Sequence, residues 1–229
     1  QGGGGRNEGG NIRMTAEQAA GQTDGRVLVL GIGNILWADE GFGVRVVEYL
    51  AARHDFPEPV ELMDGGTQGL YLLPHLEDLA GLVIVDAIDF GLPPATLHQV
   101  HGADVPATIG ARKMSLHQTG FQEVLALLDL RGHAPRRVSL IGVQPVTMPE
   151  YGGGLTERVA AQVAPAAQAV LDLLAREYGV RPLPLAGAAD MGAGLMTPAV
   201  ARAPYEAGRP DEQAACRHGD ERLLARLGV

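Results

Sequence analysis

The chain has 229 residues, 46% of them hydrophobic, which is enough for one sizeable core with appendages. Its formal net charge of -9 and pI near 5.2 argue against a broad electrostatic contact with nucleic acid or an anionic membrane and favour a protein or small-molecule partner. No run approaches the roughly 18 consecutive apolar residues of a membrane span, the glycine-rich start lacks a signal peptide's apolar middle, and the single Cys216 supports neither a disulfide framework nor a cysteine-bound zinc. A reducing, cytoplasmic setting is expected.

Residues 1–25 are rich in glycine and small polar side chains and are expected to be disordered, because they bury too little apolar surface to offset ordering entropy. The apolar run 27–30 reads as a strand, and Val44, Val47 and Leu50 with polar Arg45, Glu48 and Arg53 read as the helix that follows. Residues 60–63 predict a second strand, 70–79 a helix weakened by Pro74, and 82–85 a fully buried third strand. Strands at 95–100 and 137–143 flank a helix at about 119–128, and a last helix covers about 156–178. Strands alternating with helices predict a single α/β domain over 26–180: three layers, with a twisted, mainly parallel sheet and helices on both faces. Residues 181–229 lose sustained periodicity and are expected to be a mostly disordered tail, with one possible short helix around Leu223, Leu224 and Leu227.

In open sheets of this kind ligands collect beyond the carboxyl ends of the strands. Four segments fall there: GIGNILWADE (31–40), DGGT (64–67), Asp86, and SLHQTG (115–120) at a helix entry. All are expected to face one crevice. A dinucleotide reading of Gly31 and Gly33 is weak, since Leu36 stands where a third glycine belongs and the next strand-end acid, Asp64, comes too late. Glu40, Asp86 and His117 offer two oxygens and one imidazole nitrogen, a donor set suited to a divalent metal of the zinc and nickel range. Taken singly, each has a plain structural alternative. Glu40 could complement the first turn of its helix, with Asp39 as the cap; Asp86 could accept loop amides; His117 could pack on Gln118 or Phe121. Their convergence on one sheet edge favours the site.

These same residues carry a resemblance. VLVLGIGNILWADEGFGVRVVEYL (27–50), MDGGTQGLYLLPHL (63–76), LVIVDAIDFG (82–91), SLHQTGFQEVLAL (115–127) and IGVQP (141–145), with GGLTERV before the last helix, resemble in order and spacing the nickel-iron hydrogenase maturation proteases. The resemblance spans nearly the whole core and neither tail. It implies a compact α/β endopeptidase that removes the C-terminal extension of a hydrogenase large-subunit precursor after nickel insertion. It also implies nickel ligation by Glu40, Asp86 and His117, the nickel arriving with the substrate. Asp64 matches a further acidic position of the family near the cleft, a candidate for substrate positioning or peptide-bond chemistry; its plain alternative is a turn-forming aspartate.

How the bond is cut stays open between three routes. Nickel acts only as a recognition element, or polarises the carbonyl as a Lewis acid, or a carboxylate such as Asp64 activates water in an aspartic-type mechanism. A serine nucleophile is disfavoured, because no G-x-S-x-G elbow exists and Ser115 is the only obvious serine nearby. The rival functions are a non-catalytic chaperone that binds nickel or the precursor and, with less support, a nucleotide-binding enzyme.

Overall fold

The computed structural model describes residues 24–111, 116–147 and 154–185, with the backbone alone described at 111 and 116–119. The expected disordered start and the possible tail helix lie outside the described residues, apart from residues 24–25 and 181–185.

Five strands form the main sheet: β1 (Val27–Ile32), β3 (Val60–Gly66), β4 (Gly81–Ala87), β5 (Leu97–His101) and β6 (Val138–Val143). Their order is β3-β1-β4-β6-β5, with every neighbouring pair parallel except β5 with β6. A second, two-stranded ladder joins β2 (His54–Asp55) to β7 (Leu183–Pro184) in antiparallel pairing.

Period-two alternation explains why β1 and β4 are buried from end to end. Val27, Val29, Val83 and Val85 enter one core, while Leu28, Leu30, Leu82 and Ile84 enter the other. The first core is covered by α1 (Phe42–Arg53) and α6 (Val163–Tyr178). The second is covered by α2 (Leu73–Leu76), α3 (Asp104–Ala111) and α4 (Leu116–Leu130). The three layers and the mainly parallel sheet agree with the sequence reading.

The departures have local causes. The region expected as one helix over 70–79 splits into a 3-10 turn (Gly69–Leu72) and the four-residue α2, with Pro74 in its first turn. The expected helix over 156–178 is two: α5 (Glu157–Ala160) and α6, because Pro165 has no N–H to donate back to Ala161. α6 then stops at Gly179, whose φ of 68° is the left-handed conformation that glycine adopts without a Cβ penalty. Helix α3 was not expected, although Val105 and Ile109 at i,i+4 are both buried and Pro106 lies in its first turn.

Helix α1 falls where the sequence puts it, and two of its polar residues are buried: the Arg45 and Glu48 side chains are 4% and 2% exposed and form an ion pair, Nη1 to Oε2, at 2.8 Å. Among the described residues no helix is long and apolar enough to cross a membrane.

Candidate active site

From β1 the chain runs outward through α1 to β3, then returns across β1 through α2 to β4. Because α1 and α2 lie on opposite faces, the sheet's topological switch point falls between β1 and β4, where a crevice opens beyond the strand ends.

Glu40 is held at that point by a tightly built loop. Gly33 has a φ of 136°, and a Cβ there would collide with the Glu40 carbonyl oxygen, so the loop after β1 folds directly back onto the Glu40 backbone. Gly43, at the start of α1, abuts the Val85 and Ile32 carbonyls just as closely, which fixes the helix against the ends of β4 and β1. Glu40 itself is half-buried in the 3-10 turn Ala38–Gly41, which packs on β4.

Asp39 does not cap α1. Neither the turn nor the helix has a side-chain cap, and the Asp39 carboxylate is completely buried. Oδ2 accepts from the backbone N–H groups of Val146 and Thr147 at 2.9 and 3.0 Å and from the Thr156 hydroxyl at 3.2 Å, while Oδ1 accepts from the Thr156 N–H at 2.8 Å. One carboxylate thus ties the Glu40 loop to the segment after β6 and to the entry of α5. The neighbouring Ala38 is held at φ 38°, a conformation that costs about 1 kcal/mol or more in a non-glycine residue and persists only when its surroundings enforce it. Bonds to a charged acceptor contribute about 1.5–3 kcal/mol each. Asp39→Ala, which leaves several buried donors without an acceptor, is therefore expected to lower stability by about 3 kcal/mol or more in urea unfolding.

Asp86 lies at the carboxyl end of β4, 3% exposed, with Oδ1 accepting from the Ala87 N–H at 2.7 Å. The donor is the last residue of β4 itself, not an amide of the loop beyond it. His117 falls in the first turn of α4; its side chain is outside the described residues, but the helix start can be placed. A Cβ on Gly120 would sit 3.8 Å from the Gly69 Cα, which puts this end of α4 against the turn that follows β3, on the same edge of the sheet. Among the described residues no three His, Cys, Asp or Glu side chains are grouped to hold a metal ion.

Asp64 occupies a different place on that edge. It pairs in register with Gly31, which pairs on its other side with Val85, so β3 and β4 are separated by one strand and their backbones by roughly 10 Å. Asp64 lines a cleft of about 220 Å³ built from Asn34, Ile35 and Leu36 after β1, Val44 of α1, and Thr67 beyond β3. It is the one ionisable side chain among the described residues of that lining. Burial pushes its carboxyl above the ordinary 3.8; the Gly66 N–H, donating to Oδ1 at 2.8 Å, and the Arg45 charge pull it partly back. On that edge Asp64 of β3 and Asp86 of β4 lie on either side of β1, while Asn34 to Leu36 of the loop that carries Glu40 line the cleft with Asp64.

Two features of the site had escaped the sequence. The Asp39 clamp depends on partners more than 100 positions away, and no local signal points to it. The Arg45–Glu48 pair has readable i,i+3 spacing, but its burial is set by tertiary packing.

A sequence model of the hydrogenase maturation protease family matches residues 44–173, a stretch that includes Asp64, Asp86 and His117 and begins four residues after Glu40. The hydrogenase expression/formation protein HupD of Rhodobacter capsulatus is 54% identical over 200 residues, 87% of this chain and 93% of its own length. The hydrogenase 2 maturation protease of Escherichia coli is 42% identical over 160 residues, 69% of this chain and 96% of its own. Among solved structures, the hydrogenase maturating endopeptidase HybD from E. coli superposes with a TM-score of 0.66 at 42% identity, covering 69% of this chain and 97% of that one. With the fold, the order of its segments and these relatives in agreement, the chain belongs to the hydrogenase maturation protease family and is a peptidase.

Proposed function

We propose that this peptidase removes the C-terminal extension of a nickel-iron hydrogenase large-subunit precursor in the cytoplasm, after nickel insertion, and that the nickel is part of what it recognises. The observation that supports this reading is the separation of Asp64, in its cleft, from Asp86 on the far side of β1. One carboxylate is thus set apart for bond chemistry, while Asp86, with Glu40 of the first loop and His117 from α4, forms the donor set for a borderline metal.

The division suggests an order of events. Glu40, Asp86 and His117 complete the coordination of nickel already held by the precursor, which fixes the chain near the scissile bond and raises its effective concentration. Asp64, whose carboxyl burial holds above its ordinary value, is the base that accepts a proton from the attacking water. The uncharged walls supplied by Ile35, Leu36 and Val44 suit an extended peptide and exclude bulk water from the carboxylate. Leu70 and Tyr71, 58% and 83% exposed on the turn just beyond Thr67, offer further apolar surface to the same chain.

The test is mass spectrometry of purified precursor, nickel-loaded or nickel-free, after incubation with this protein. Loss of a C-terminal peptide from the loaded form alone is expected. A precursor bound but left at full length in both forms would instead identify a chaperone, and equal cutting of both forms would remove nickel from the recognition step.

A further inference from the structure

Strand β3 is an outer strand of the five-stranded sheet and pairs with β1 alone. The Val27 N–H donates to the Pro59 carbonyl at 2.9 Å, and Val27 is in register with Val60. In a parallel ladder a residue bonds to the two neighbours of its partner, so Pro59, Glu61 and Met63 turn their peptide groups toward β1. Val60, Leu62 and Asp64 turn theirs the other way, out of the sheet. The Val60 N–H is taken by the Pro57 carbonyl at 3.1 Å, whereas the N–H and C=O groups of Leu62 and Asp64 have no partner among the described residues. Two donors and two acceptors, in repeats about 6.6 Å apart, thus face outward.

This edge is continuous with the cleft through Asp64 itself. Side chains along β3 alternate, with Leu62 packed on the core under α1 and Met63 on the opposite one, so the Asp64 carboxylate lies on the α1 side, where it lines the cleft with Val44. Its own N–H and C=O meanwhile point to the open edge. Resting on the reading of this chain as a precursor-processing peptidase with Asp64 as its base, we propose that the precursor's C-terminal segment docks as an added β-strand on β3, paired with the peptide groups of Leu62 and Asp64. Such a strand runs about 4.8 Å from β3, which brings a substrate peptide bond beside Asp64 through main-chain pairing alone. Every second side chain of the added strand falls on the α1 face, toward Ile35, Leu36 and Val44, where apolar residues are favoured. The substrate is therefore an extended segment, since a helix has no peptide groups to offer this edge. Two residues of open edge are too short a ladder for a second copy of the chain, but they suffice to align a peptide that the adjoining cleft also holds.

The experiment is hydrogen exchange of the full-length protein, read amide by amide by electron-transfer mass spectrometry, with the Asp64→Asn variant holding nickel-loaded precursor uncut. On binding, the amides at positions 62 and 64 are expected to slow at least about tenfold, while that of Met63, already in the ladder to β1, stays as it was. Across the cleavage site of the precursor, slowing is expected at every second amide, because an added strand bonds through one side only. Amides at 62 and 64 that are already slow in the free protein would show the edge covered by the chain itself, and overturn the proposal. Bound precursor that leaves them unchanged, or that is slowed at consecutive amides, overturns it too. Wild-type protein run in parallel separates the two levels: those results with precursor cut normally sink the strand docking alone, whereas precursor neither bound nor cut removes the reading on which it rests.

Discussion

Asp64→Asn stops precursor processing while leaving the protein at least as stable as wild type at neutral pH. Loss of a general base costs about 10²- to 10⁴-fold in rate, and the loss should appear in kcat, because the amide keeps the shape of the cleft and its acceptor for the Gly66 N–H. The stability half follows from the carboxyl being held above its ordinary value by burial. A folded state that raises the value prefers the protonated form, so its advantage is complete at pH below the unfolded value and is lost as pH rises through the folded one. Once ionised, the carboxylate is thus a cost to the fold that a neutral amide does not carry. As the pH is lowered through the Asp64 titration, wild type gains the same neutrality and the two melting temperatures should converge. A variant that is inactive and also markedly unstable would mark Asp64 as a structural turn residue.

How much of this was legible in the sequence depended on the reach of each interaction. Strands β1 and β4 were readable because unbroken apolar runs admit few alternatives, and the break in the final helix was available in principle from Pro165. Gly33 and Gly43 of the first loop meet backbone too closely for a Cβ, a constraint that only the folded chain imposes. The carboxylates at strand ends followed from the topology rule for open sheets. What stayed hidden was set by distant packing. Asp39 looks like a helix cap until Val146 and Thr156 arrive from beyond β6, and Arg45 and Glu48 look like a wet helix face until the fold covers them. Nor does the sequence separate Asp64 from Asp86, since that depends on β1 lying between β3 and β4.

That separation makes the second large effect distinguishable from the first. Glu40→Gln, Asp86→Asn and His117→Ala are each expected to lower kcat/KM for nickel-loaded precursor at least about a hundredfold, because a misplaced scissile bond loses the proximity that coordination supplies. Unlike Asp64→Asn, they should also erase the preference for loaded over nickel-free precursor in direct binding, since they remove ligands and leave the Asp64 cleft untouched. The fold should tolerate all three. Glu40 is half-buried on its turn, and asparagine at 86 retains an oxygen for the Ala87 N–H. Circular dichroism beside isothermal titration with each precursor form measures both halves. If the three variants discriminate nickel as wild type does and process at normal rates, nickel is not read by these side chains, whatever their convergence on one sheet edge. If they lose discrimination but still cut slowly, then hydrolysis and metal recognition are separable functions.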